Sequence, residues 1–259
     1  PMKISFFVTC ITDTVYSHVG IKSVELLEAL GCTVLFNPKQ TCCGQPLSNT
    51  GYHEKAKKSM RVLIDALLED DGEYVVAPSG SCVLKVREFP HFFEREQKWH
   101  DKAEILANKT FEITDFIVNV LGVADVGARL EARAAYHPSC HMTRLLRVKE
   151  APLLLLQNVQ GLELVPFAGQ DKCCGFGGTF AVKMADLSGA MVAEKVDNIA
   201  KAGVDCVIGA DGACLMNIEG RIKRLNLPIQ VYHIVEVLTM ENRFQSSVQE
   251  ATLEGRSVV

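Results

Sequence analysis

Eight of the ten cysteines form two matching sets: Cys10, Cys42, Cys43 and Cys82, then Cys140, Cys173, Cys174 and Cys214. Between the lone cysteine and the pair lie 31 residues in the first set and 32 in the second, and between the pair and the last cysteine 38 and 39. Two intervals reproduced to within one residue mark an internal duplication with a period near 130, so each half is expected to be a copy of one unit with the same thiol geometry. Four convergent thiolates are the ligand set of a soft or borderline metal, either an iron–sulfur cluster or zinc. Gly44 and Gly175 follow the two pairs directly and let the backbone approach a bulky group where a Cβ would stand in the way.

Thiols this far apart in the chain can meet only if secondary structure brings them together. Strand-like runs at 4–8, 33–36 and 74–77 alternate with helical periodicity over 21–30 and 52–68, and Gly31 is placed to stop the first helix. A weaker strand and a final helix are expected between 111 and 121. The second half repeats the order with strands at 134–136, 162–167, 206–209 and 229–232, a helix reaching about 159, another over 185–202, one after 209 and a last helix. Such alternation predicts an α/β protein of two pseudo-repeated lobes, each a small parallel sheet flanked by helices. The expected boundaries are 1–125 for the first lobe, 126–244 for the second and 245–259 for a tail without sustained periodicity. In such sheets ligands bind beyond the carboxyl ends of the strands, and all eight patterned cysteines fall there.

Composition narrows the class. With 259 residues and 48% apolar side chains each half can bury its own core, and a net charge of −4 without any Lys or Arg block gives no footprint for nucleic acid. The apolar runs are far shorter than the roughly 20 residues a bilayer span needs. The first residues lack a secretory signal pattern, which predicts a cytoplasmic chain whose thiols stay reduced.

Other candidates are weaker. Cys32 and Cys206 lie within predicted strands, opposite Leu162 and Tyr74 in the other copy, and read as core residues. His137 and His141 flank Cys140 where the first copy has Phe7 and Ile11, so an extra ligand or a hydrogen bond to sulfur from either would belong to the second site alone, beside the simpler reading of a solvent-facing or capping histidine. Arg144 and Lys183 could attract a carboxylate but are also ordinary surface residues, and no residue is assigned as a catalytic base. His233 and Asp115 read as helix caps at matching positions. From Cys82 to Asp115 is 33 positions against 19 from Cys214 to His233, so the first half carries an insert at 92–107, with the only tryptophan, Trp99, read as a solvated loop and helix ahead of the alternative of a partner-docking surface.

The doubled Cys, Cys-Cys-Gly, Cys pattern resembles the cysteine-rich CCG domain family. That family includes the heterodisulfide reductase B subunit and the iron–sulfur subunits of glycolate oxidase and anaerobic glycerol-3-phosphate dehydrogenase, as well as lactate-utilisation proteins. The likeness covers the chain to about residue 244. The fullest form of the motif closes each repeat with Cys-x-x-Cys, whereas here Ser79 and Asp211 take the place of the first closing cysteine, Asp211 retaining an oxygen that could ligate. With no ferredoxin-type cysteine run either, the chain is most similar to the lactate-utilisation group, as are the stretches ending Thr9-Cys10, Ser81-Cys82 and Cys140-His141. The resemblance implies iron–sulfur clusters of the 4Fe–4S type on the eight cysteines and electron transfer during oxidation of L-lactate, with a ferredoxin-like iron–sulfur subunit and a third lactate-utilisation protein as partners. A small hydroxy acid is the implied substrate. Zinc in one or both sites, within a scaffold subunit, and a thiol–disulfide oxidoreductase remain open alternatives.

Overall fold

The computed structural model describes residues 1–240, so the expected tail and the last residues of the second repeat lie outside it. The first lobe runs β1 (Met2–Phe6), α1 (Cys10–Thr14), α2 (Ser17–Ala29), β2 (Cys32–Leu35), α3 (Gln45–Ser48), α4 (His53–Glu69), β3 (Tyr74–Ala77), α5 (Gly80–Arg87), α6 (Phe89–Phe92), α7 (Gln97–Lys109), β4 (Thr110–Glu112) and α8 (Ile113–Asp115), continued by a π-helical turn at Phe116–Val120. The second runs β5 (Arg129–His137), a π-helical turn at His141–Leu145, α9 (Glu150–Gln157), β6 (Gln160–Leu164), α10 (Phe180–Lys183), α11 (Ala185–Lys201), β7 (Cys206–Gly209), α12 (Gly212–Arg224), β8 (Gln230–His233) and α13 (Ile234–Leu238).

Each lobe holds a four-stranded, wholly parallel sheet, ordered β2-β1-β3-β4 in one and β6-β5-β7-β8 in the other. Identical strand order in both halves is the structural counterpart of the cysteine repeat. The central strands β3 and β7 are short runs rich in Val and Ile, almost wholly buried because helices cover both faces. In α4, Met60, Leu63, Ile64 and Leu67 follow the 3.6-residue period and are fully buried, fixing which side of the helix meets the sheet. The strand order reverses direction between β1 and β3, and again between β5 and β7. At such a switch point the connections leave in opposite directions and open a crevice, and the lone and last cysteines of each set follow those strands.

Three expectations change at this level. The lobes do not bury separate cores: one continuous cluster runs from Ile4, Leu63 and Val76 through Ala134, Tyr136 and Met142 to Ile234 and Leu238, and only the outer layer of the second lobe around Val196 and Ile218 is a cluster of its own. The insert is packed rather than solvated, because Phe93, Ala103 and Leu106 are fully buried and Arg61 stacks over both Phe93 and Trp99 while bonding Glu96 at 2.6 Å. The residue that caps the helix after β4 is Glu112, not Asp115. Its carboxylate accepts from the Thr114 and Asp115 amides, and it aligns with His233 because Ala77–Glu112 and Gly209–His233 are equivalent strand pairs. His233 does cap α13, with Glu236 completing a capping box. Among the described residues no helix is long and apolar enough to cross a membrane.

Candidate metal centre

The local folding of each lobe delivers its cysteines in the same way. Cys10 opens α1 just beyond β1, the Cys42-Cys43 pair lies in the loop after β2, and Cys82 sits in the first turn of α5 after β3. Cys140 precedes the π-helical turn after β5, Cys173-Cys174 follow β6, and Cys214 sits in the first turn of α12. Gly44 and Gly175 have φ of +81° and +84°, and a Cβ on them would come within 3.2 and 2.9 Å of the Ala56 and Ser188 carbonyl oxygens. That conformation aims each glycine amide at the preceding sulfur, 3.5 Å to Cys42 Sγ and 3.3 Å to Cys173 Sγ.

Within each set the thiols interact in series. Cys10 Sγ lies 3.7 Å from Cys42 Sγ, Cys42 interacts with Cys43 and Cys43 with Cys82; the order Cys140, Cys173, Cys174, Cys214 repeats that series. Hydrogen bonds from Cys10, Cys43 and the Gly44 amide hold the Cys42 thiol well below the ordinary range, and Cys10 and Cys43, which keep the shared protons, are pushed up. Cys140, Cys174 and the Gly175 amide do the same for Cys173. The donor set therefore suits a thiolate-bound metal, with one deprotonated sulfur already favoured in each lobe. Among the described residues no three thiols lie mutually within 4.8 Å. A tetrahedral zinc site, with Zn–S bonds near 2.3 Å, needs all its sulfurs about 3.8 Å apart. Each quartet is thus an open arc, wider than a single ion.

The two arcs do not open at separate mouths. All eight cysteines line one cavity of about 300 Å³ between the lobes, with Ile11, Pro46, Phe176 and Val182 among its apolar walls and Thr9, Gln45 and His141 among its polar ones. His141 sits with Nδ1 3.7 Å from Cys140 Sγ and Nε2 3.5 Å from Gln45 Nε2 of the other lobe. Asp211 and Ser79 also face each other across the lobes. The Asp211 carboxylate accepts from the Ser81 amide at 2.9 Å, the Ser79 hydroxyl at 3.3 Å and the Ala213 amide at 3.2 Å, so it caps the first turns of both α5 and α12. Its oxygens are committed to these donors.

His137 is neither solvent-facing nor a cap. It ends β5, is 1% exposed, and lies with Cys174 and Cys214 in a group whose ligand atoms are all within 4.8 Å of one another. Burial, with Lys195 adding to it, lowers its pKa to about 3, so the ring is neutral near pH 7. Lys195 is the residue that sequence reasoning missed. It is 2% exposed, donates to the Gly169 and Gln170 carbonyls at 3.1 and 3.2 Å, and sits in the electrostatic field of Cys173, Cys174 and Cys214. Its signal was a lysine on the apolar face of α11, between Val192 and Val196, where the first copy has Leu63. Of the remaining candidates, Arg144 donates to the Asp171 carbonyl at 2.6 Å and Lys183 lies over the Tyr52 ring. Cys32 and Cys206 are buried in the core, and burial raises the Cys206 thiol to about 11.

Comparison with known proteins adds an independent line. A family model described as a cysteine-rich domain, CCG, matches residues 4–87 and again 134–219. The chain is 55% identical over 236 residues to the lactate utilization protein A of an Exiguobacterium species, an alignment covering 91% of this chain and 96% of that one. It is likewise 55% identical to the protein of that name from Geobacillus kaustophilus (93% and 100% covered) and 54% identical to that of Bacillus subtilis (92% and 99%). Among solved structures, a hypothetical protein from Helicobacter pylori shares the fold with a TM-score of 0.65 at 9% identity, covering 96% of this chain and 51% of that one.

Proposed function

Because the chain belongs to the cysteine-rich CCG domain family, carrying two copies of the domain, we propose that it is an iron–sulfur electron-transfer subunit in the oxidation of L-lactate to pyruvate. The shared name of its relatives supports a role in lactate utilisation. The observation that carries the finer reading is the convergence of all eight patterned cysteines on one cavity. Cys10, Cys42, Cys43 and Cys82 would hold one 4Fe–4S-type cluster and Cys140, Cys173, Cys174 and Cys214 the other, which when bound supply one-electron uptake and release. In the first lobe, where no three candidate ligand atoms among the described residues close within 4.8 Å of one another, the spread of the thiols favours such a polynuclear group over a single zinc ion.

The protein's own groups prepare the site. Glycine amides at Cys42 and Cys173 offset sulfur charge, Lys195 adds a cation beside the second arc, and the apolar walls limit water. Oxidation of lactate to pyruvate releases two electrons and two protons. With no ferredoxin-type cysteine run in the chain, those electrons leave through a ferredoxin-like iron–sulfur subunit, and a third lactate-utilisation protein completes the system.

Anaerobically purified protein is expected to be brown and to contain iron and acid-labile sulfide. Cys42→Ala and Cys173→Ala should each remove the metal of one lobe and spare the other. Colourless protein with stoichiometric zinc overturns the electron-transfer reading in favour of a scaffold. Variants that keep their metal yet lose turnover would identify a thiol–disulfide enzyme instead.

A further inference from the structure

His137 is the only histidine among the described residues with both ring nitrogens buried and without a hydrogen-bond partner. Its ring occupies the place of Phe7 in the first lobe, which is equally buried, so packing there asks only for an apolar ring. An imidazole in that place carries a desolvation penalty that no contact in the protein offsets. It does lie against Cys174 and Cys214, within 4.8 Å of both sulfurs. Its backbone is pinned as well, being the last residue of β5 and paired with Gly209 of β7, so the ring is presented by the sheet rather than by a mobile loop.

We propose that His137 is a nitrogen ligand of the metal centre held by the second cysteine quartet, so that the lobes carry different centres: all-sulfur in the first, sulfur plus imidazole in the second. This rests on the reading that the quartets hold iron–sulfur clusters. Neither Ser79 nor Asp211 fills the position of the missing closing cysteine as a free donor, since each is engaged in capping; in the second lobe His137 supplies a nitrogen within 4.8 Å of the Cys174 and Cys214 sulfurs, whereas Phe7 stands at that place in the first. A four-iron cluster offers four ligand places, so an imidazole bound there takes one that a thiolate fills in the first lobe; the centre is then less negative, and the second centre should have the more positive reduction potential.

The test uses full-length protein labelled with ¹⁵N-histidine, purified anaerobically, assayed for iron and examined by pulsed electron paramagnetic resonance after reduction. Cys42→Ala removes the first centre and isolates the second. A directly bound nitrogen coupling is expected, together with its loss in His137→Phe, its retention in the control His141→Ala, and a negative shift of the second centre's midpoint in His137→Phe. Iron at the second quartet without such a coupling, or with a coupling that survives His137→Phe, overturns the assignment while leaving the metal reading intact. Protein without iron at the second quartet overturns both. Should His137→Phe fail to fold, the labelled Cys42→Ala protein and its His141→Ala derivative still decide, because a coupling that disappears with His141 assigns the nitrogen to that residue.

Discussion

The two lobes share strand order and every patterned cysteine, yet differ at equivalent positions around the site and the lobe interface, four of them decisive for its chemistry. Phe7, Leu63, Ser79 and Glu112 in the first lobe stand where His137, Lys195, Asp211 and His233 stand in the second. The thiol framework has been held constant while the groups around it diverged. The first quartet is backed by a phenyl ring and an aliphatic side chain, the second by an imidazole and an ammonium group. Since hydrogen bonds, charge and burial tune a metal–sulfur centre as strongly as the ligands do, equal cysteines do not make equal sites.

The largest effect that sharpens this comparison is expected at Ser79 and Asp211. Asp211→Ala strips partners from the buried Ser81 and Ala213 amides and should cost about 3 kcal/mol in denaturant unfolding. Ser79→Ala removes one weaker cap and should cost about 1 kcal/mol. Equal losses would mean that the clasp is as symmetric as the cysteines.

A smaller difference is expected one residue on. A Cβ on Gly80 would come within 2.8 Å of Met142 Cβ across the lobe interface, whereas one on Gly212 finds its nearest neighbour, Tyr16, at 3.4 Å. Gly80→Ala should destabilise by about 2 kcal/mol, from overpacking. Gly212→Ala should stay within about 0.5 kcal/mol of wild type in the same assay.

Effects of opposite sign are expected in the pH dependence. Burial raises Glu112 from 4.5 to about 8, so between those values the folded protein keeps a proton that the unfolded chain has released, and stability falls as pH rises. Burial lowers His233 from 6.5 to about 4, so over that window the unfolded chain binds the extra proton and stability rises with pH. Glu112→Gln should flatten the falling contribution and His233→Gln the rising one, read as Tm against pH. The same slope from both variants would break the contrast.

Much of this was legible in the chain. Cysteine spacing picked out the eight thiols that line the common cavity and placed them beyond strand ends, and β3 and β7 fall where their apolar runs predict. What the sequence withheld concerns how the lobes meet. Nothing local to Cys42 or Cys173 says that both face a common cavity, because that follows from the packing of α5 on the π-helical turn after Cys140 and of α1 on α12. Glu112 is hard to read as a cap because it closes a buried strand and its carboxylate folds back on the next turn, while Asp115 is the better candidate by residue type. The insert reads as solvated because charged residues dominate α7, although Ala103 and Leu106 mark its buried stripe.

The contact between Ser79 and Asp211 bears on the protein's ancestry. Two identical halves associating about a two-fold axis bring the residue on that axis against its own copy, so an aspartate there would meet a second buried carboxylate and be repelled. Once the halves are joined in a single polypeptide, each can mutate alone, and a serine opposite one aspartate turns a self-repelling position into a hydrogen bond. Within one polypeptide the two halves need not match at this contact, and a single acid secures both helices.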